Sequence, residues 1–416
     1  MESFVNGAGA LAALAAPLML AGLVASGAAA AIGSLLRRSA ILLAILLPAA
    51  FMIAVIVFYH GDPQFDFNVN YRAAAALYLD GSDPYTVHAA YSFPIPTFYL
   101  YWLFSRALSP LAAWYAWWIV NAVIWAGCAL LLWRSLPPAA DPIARAMGLY
   151  VCAAIPGITV LWQGQTALLI LAGLVAVHYG LRSPGRTNLL IGAAGLAWAA
   201  LIKPQLVLVG LGIAIWAALR WGATPDRRAE ALHAIRLLTG AVAIAVAAVL
   251  VTLVLPGGVT LETYRAFLGE ALPQVARPSD GLVIGSPAFA AAAIANVLGA
   301  SDRAADAIST VVTVAMVGAG AFWTWRHRHE AAISIAAGWG VWAMVIPRVA
   351  WTWYAAWCLP FFLLTVNGDR RRDALLVIIL ALLALQPGMM IVAVGTILAL
   401  IYLLWNGVWA WRPVRM

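Results

Sequence analysis

The chain is 416 residues long, 65% hydrophobic and only 10% charged, whereas soluble domains are roughly 45–50% apolar and about 25% charged. Too few polar side chains are present to cover a soluble fold of this size, so the composition excludes one and predicts an all-α polytopic membrane protein. The net charge of +8 is spread as ones and twos at the ends of apolar runs, the pattern of membrane orientation signals and not of a groove that tracks nucleic-acid phosphates.

A helix needs about 20 apolar residues to cross the roughly 30 Å hydrocarbon layer. Taken in chain order, such runs lie near 41–58, 112–133, 146–162, 166–181, 187–202, 205–220, 237–255, 305–324, 331–347, 351–366, 374–386 and 389–410. They predict a single integral-membrane domain over 1–416 with about 12 transmembrane helices. The Ala/Gly-rich N-terminal segment, 1–38, holds an ambiguous apolar stretch at 10–33, an extra span or a leader. It lacks the basic start of a secretory signal and is not expected to be cleaved. Residues 93–108 are apolar but broken by Pro94 and Pro96, and read as a re-entrant or surface-lying helix.

With the Arg37–Arg38 end of the first span inside, alternation puts 17 of the 24 basic residues in the cytoplasm and leaves Arg72, Arg106, Lys203, Arg265, Arg277, Arg303 and Arg348 outside. This bias is what the positive-inside rule predicts for a cytoplasmic membrane. The two longest non-spanning regions, 59–111 and 256–304, then lie on the outer side, and both are expected to be helical. The cytoplasmic loops are short and basic and carry no Gly-rich phosphate loop, so any chemistry is expected at the outer face. Cys128, Cys152 and Cys358 sit inside apolar runs with no metal-ligand spacing and read as core residues.

The first outer loop offers Asp62 and Asp66, then Tyr71 and Arg72 in a stretch of good helix formers ending before Gly81. Asp66 follows the first span closely. At the membrane edge a partly desolvated carboxylate gains basicity and can serve as a general base, or it can simply cap the helix that follows. Gln163, Gly164 and Gln165 form a polar turn between two spans. Lys203 is the single lysine of the chain, set beside Pro204 between two further spans. A lysine there either binds an anionic substrate or snorkels to lipid phosphate. Arg348, Trp351 and Tyr354 open another outer turn, where the aromatics can also act as interfacial anchors. His178 is the one titratable group well inside a span, towards its cytoplasmic end, and reads as structural.

By this topology one membrane face collects a carboxylate, two amides, two cations and aromatic planes. A phosphate needs cations, a sugar needs amides and aromatic faces, and a hydroxyl nucleophile needs a base. The set suits sugar transfer from a lipid phosphate. Ion-coupled transport fits less well, because the spans carry no acidic residue near their midplanes.

The stretch from Asp66, Phe67, Asn68, Val69, Asn70 and Tyr71 to Gly81, Ser82, Asp83, Pro84 and Tyr85 resembles the opening of glycosyltransferase family 87, integral-membrane enzymes of the GT-C class. Tyr91 to Pro96, Gly164–Gln165 and Lys203–Pro204–Gln205 resemble that family's later signatures in the same order, so the likeness runs from about residue 60 to about 370. The resemblance implies a GT-C-like helical bundle and an inverting transferase. It would move mannose or arabinofuranose from a polyprenyl-phosphate donor to a lipid or glycan hydroxyl. It also implies that Asp66 is the base, with Asp62 as fallback, and that Lys203 and Arg348 steady the leaving phosphate. The segment Ile346-Pro347-Arg348-Val349-Ala350-Trp351 departs from the family pattern, which leaves the contacts of that turn and the identity of the sugar open.

Tyr264, Arg265, Glu270, Gln274, Arg277 and Asp280 of the second outer region are expected to cover the cavity. No cofactor is expected to be obligatory. Asp62, Asp66, Asp80 and Asp83 share one loop and leave a divalent metal open, although they form no Asp-x-Asp motif. The partners expected are the lipid-linked sugar donor, the lipid or glycan acceptor and membrane lipids, with no nucleic acid. The competing readings are a lipid-linked-sugar flippase or transporter, a non-catalytic scaffold, and a polymerase or ligase of lipid-linked glycans. A flippase needs a polar path through both leaflets, and here the polar groups stop at the outer ends.

Overall fold

The computed structural model describes residues 67, 71–72, 75–76, 80, 95–135, 164–222, 224–255, 259–271, 284–346, 349–350 and 357. The regular elements among these residues are helices apart from one two-residue ladder. In order they form α1 (Pro96–Ala107), α2 (Pro110–Ser135), α3 (Ala167–Arg182), α4 (Arg186–Ile202), a 3₁₀ turn (Pro204–Leu206), α5 (Val207–Trp221) and α6 (Pro225–Thr252). Then follow α7 (Leu261–Ala266) with a π turn at its end, β1 (Ile284–Gly285), α8 (Pro287–Val297), α9 (Asp302–Arg326), α10 (Ala332–Val345) and β2 (Val349–Ala350). Four stretches, Pro110–Cys128, Pro204–Trp221, Pro225–Thr252 and Asp302–Arg326, are long and apolar enough to cross a membrane. The chain is thus an all-α membrane protein in its described part.

Each expected span that falls among the described residues coincides with a helix, and so does the segment after Pro96. The spans expected near 41–58, 146–162, 374–386 and 389–410, the stretch 10–33, and all of 351–366 except Trp357 lie outside the described residues. The span expected at 237–255 differs: its helix starts at Pro225. Thr224 precedes it, Pro225 takes the first turn where no N–H is needed, and Asp226 meets the positive helix end. At 28 residues the helix is about 42 Å long by its rise, so its basic first turns extend past the hydrocarbon layer.

Between membrane helices the hydrophobic effect contributes little, and close backbone approach takes its place. The tightest pair is α3 with α4, crossing antiparallel at Gly173 against Gly195 and Gly180 against Gly192. A Cβ on Gly173 would sit 2.6 Å from the Gly195 carbonyl oxygen, and one on Gly180 would sit 2.6 Å from the Gly192 Cα. Helix α6 packs across α4 and α5, and α10 packs against α5 and α3. There Gly212 and Gly320 make room for the Trp339 indole, and Gly338 for that of Trp323. The Trp339 Nε1–H donates to Thr324 Oγ1 at 2.8 Å, and that hydroxyl donates to the Gly320 carbonyl at 2.9 Å. The buried indole is therefore satisfied where no water can reach.

The alternating helices give the bundle two ends. At one lie the turn before α3, the Lys203 turn, the start of α9 and the segment after α10. At the other lie the 183–185 turn, the α5–α6 turn and the α9–α10 turn. The ladder pairs Ile284 with Ala350 and Gly285 with Val349, joining the second loop region to the residues after α10 at the first end.

Candidate functional site

Gly164 opens the turn before α3 with φ 69°, a left-handed conformation that a residue with a Cβ adopts only at a cost. That turn aims Gln165 and Thr166 inward, where they are 3% and 1% exposed. The Gln165 Oε1 accepts a 2.6 Å hydrogen bond from the Tyr71 hydroxyl. The Gly164 carbonyl accepts one of 2.8 Å from Trp117 Nε1–H on α2. The polar turn read from the sequence is thus clamped from two sides.

Phe67, Tyr71 and Ala75 follow one another at a spacing of four, the repeat that brings helical residues onto one face, and all three are buried. Phe67 stacks on Trp117 with ring centroids 5.2 Å apart, and Tyr71 stacks on Tyr101 of α1 at 4.8 Å. Tyr101 in turn meets Trp117 edge-on at 5.3 Å. Contacts of this kind are each worth about 0.5–1.5 kcal/mol beyond burial. Together they fix the first loop region onto α1, α2 and the Gly164 turn.

Lys203 lies at the same end of the α3–α4 pair and is only 8% exposed. Its backbone is extended (φ −135°, ψ 105°), its N–H closes α4 onto the Ala199 carbonyl, and Pro204 begins the 3₁₀ turn. Proline disfavours helix at the residue before it, which is why the chain breaks there and turns the one lysine into the bundle. A cation held in such surroundings acts on a nearby anion far more strongly than it would in water.

An apolar groove of about 500 Å³ runs along α4 from Ile191 to Leu201 and Ile202, the residues just before Lys203 in the chain. It is walled by α3 and α6 and closed at its end by Pro96 and Thr97 of α1. The small residues Gly173, Ala176, Ala194 and Gly195 that let α3 and α4 approach also open this groove. On the loop side, Tyr264 of α7 shares a 2.6 Å hydroxyl–hydroxyl bond with Thr252 at the end of α6. Burial pushes the Tyr264 phenol above its ordinary pKa, and the Thr252 bond partly opposes that shift.

Of the residues singled out in the sequence, Tyr71 and Gln165 are in direct contact, Lys203 shares their end of the bundle, and Arg72 follows Tyr71 in a half-buried position. Asp62, Asp66, Gln163, Arg348, Trp351 and Tyr354 lie outside the described residues, as do Gln274, Arg277 and Asp280. Asp80 is the one described member of the loop's aspartates, and among the described residues no three His, Cys, Asp or Glu side chains gather to hold a metal. His178 is buried beside a void of about 10 Å³ lined by Leu174, Val177, Val209 and residues of α10. The cluster of Phe67, Tyr101 and Trp117 went unnoticed in the sequence. Its one visible trace is the four-residue spacing of Phe67, Tyr71 and Ala75. No family model, curated protein or solved structure matches the chain.

Proposed function

We propose that this protein is an inverting glycosyltransferase that moves a sugar from a polyprenyl-phosphate donor to a lipid or glycan hydroxyl at the Gln165–Lys203 end of the bundle. The observation that carries the reading is a buried lysine, Lys203, that follows in the chain directly on Leu201 and Ile202, two residues lining an apolar groove. A lipid phosphate needs that pairing of a cation with a channel for its hydrocarbon tail. The buried Tyr71–Gln165 bond and the aromatic stack around it fix the first loop region, which carries Asp66, to this end of the bundle.

In this reading Asp66, the residue before buried Phe67 in the chain, takes the proton of the acceptor hydroxyl as its oxygen attacks the anomeric carbon. The bond from that carbon to the donor phosphate oxygen breaks from the opposite face, and polyprenyl phosphate leaves with the electron pair. One base suffices because the leaving phosphate needs no protonation, unlike the two-carboxylate scheme of glycosidases. Lys203 stabilises the charge that gathers on the phosphate as the bond breaks. The likeness of the loop and lysine motifs to glycosyltransferase family 87 supports the same assignment.

The test supplies purified protein in nanodiscs with radiolabelled polyprenyl-phosphate mannose or arabinose and total bacterial lipid, comparing wild type with Asp66→Asn. Transfer by the wild type and a loss of about 10²–10⁴-fold in the variant is expected, the range for a positioned general base. Equal transfer by both moves the base to Asp62. Donor binding that depends on Lys203 but yields no transfer refutes the enzyme and leaves a lipid-linked-sugar flippase.

A further inference from the structure

At the opposite end of the bundle a second cavity, of about 370 Å³, opens between α3, α5, α6 and α10. Its floor is apolar, with Trp216, Ala332 and Ile333, and its rim carries Arg182, His233 and Glu230. The geometry points to a binding site for the headgroup of an anionic phospholipid from the leaflet at this end.

Three independent observations support this. First, the one acid at the rim is already neutralised. Glu230 pairs with Arg220 at 3.0 Å, and the Arg220 guanidinium also donates to the Glu330 carbonyl at 2.7 Å. Second, His233 Nε2 lies 2.7 Å from the Gly180 carbonyl. A carbonyl only accepts, so Nε2 carries the hydrogen, and this bond fixes the imidazole at the rim. Third, this end carries the mark of a membrane surface. Arg228 lies over the Trp221 ring and Arg328 over the Trp325 ring, each at 5.1 Å, and tryptophan and arginine belong at headgroup level. Among the described residues the charge of this end is strongly positive, with Arg182, Arg186, Arg220, Arg227, Arg228, Arg236, Arg326 and Arg328 against Asp226, Glu230 and Glu330. A basic pocket between membrane helices with an apolar floor suits a headgroup phosphate above its acyl chains. A free phosphate has no use for such a floor.

The test titrates phosphatidylglycerol into phosphatidylcholine nanodiscs or mixed micelles holding the full chain and follows the thermal unfolding midpoint, with inorganic phosphate as a separate arm. The expected result is a rise in midpoint with phosphatidylglycerol and none with inorganic phosphate. Arg182→Gln should shift the half-saturating lipid fraction about fivefold, the weight of one surface arginine. Arg303→Gln, at the other end of the bundle, should leave it unchanged. An equal response from wild type and Arg182→Gln, or the same rise with inorganic phosphate, overturns the proposal. So does a pocket-filling Ala332→Trp that keeps the full phosphatidylglycerol response.

Discussion

Tyr71 and Gln165 stand 94 residues apart in the chain and meet through one hydrogen bond of 2.6 Å. Removing the hydroxyl by Tyr71→Phe takes this donor away from the buried Gln165 oxygen. The expected cost is about 1 kcal/mol, in the range measured for hydrogen bonds between membrane helices, read as a lowered unfolding midpoint in detergent. Gly164→Ala should cost about 1–2 kcal/mol through its positive φ alone, and should also weaken donor use, since the turn aims Gln165. At Lys203 the expected change is catalytic. Lys203→Ala should lower transfer by about 10²–10³-fold, the scale of a lost electrostatic stabiliser, while the folded protein stays helical by circular dichroism. Tyr264 offers a pH test. Its folded pKa is raised above 10, so its contribution is fully present below the unfolded pKa of 10 and is lost as pH rises through the folded value. Unfolding midpoints taken between about pH 9 and 11 should fall less steeply for Tyr264→Phe than for wild type.

At the scale of the elements, the α3–α4 hairpin is the part on which the candidate site depends most. It carries Gln165 at one end of α3 and Lys203 at the matching end of α4, and its glycines set how closely those ends approach. A valine at Gly173 would press its side chain into the Gly195 carbonyl. The overpacking should cost about 1–3 kcal/mol, with loss of transfer greater than loss of stability because the hairpin's ends would splay. The outcome to measure is the ratio of the two effects in Gly173→Val, with Gly222→Val as control. A Cβ at Gly222 meets nothing within 4 Å. For the spans that fall among the described residues, helix existence was legible in the sequence because each is a long apolar run between charged or proline-marked ends. The early start of α6 was not, because its first three turns are polar and amphipathic, and hydropathy sees only the part inside the lipid.

For the whole molecule, the alternating helices sort the loops onto two ends, and the charges sort with them. In a background lacking Cys128, Cys152 and Cys358, Ser301→Cys at the start of α9 should react with an impermeant maleimide from the outer side of intact cells. Ser183→Cys, after α3, should react only once the membrane is opened. The reverse pattern would put the candidate site in the cytoplasm and set it against the positive-inside bias.

Composition alone determined that this chain lives in a membrane, since 65% hydrophobic residues leave no soluble alternative. The spacing of apolar runs determined the helices, and the lone Lys203 among them stood out because a charge in lipid is costly enough to need a reason. What only the tertiary structure decided is which of these features meet. The Tyr71–Gln165 bond, the Phe67–Trp117 stack and the groove ending at Ile202 all join segments far apart in sequence. Hydropathy records how each helix partitions into lipid and carries no term for which neighbour it then faces. That choice rests on where glycines let backbones approach and where indoles fill the gaps, and it exists only once the helices are packed.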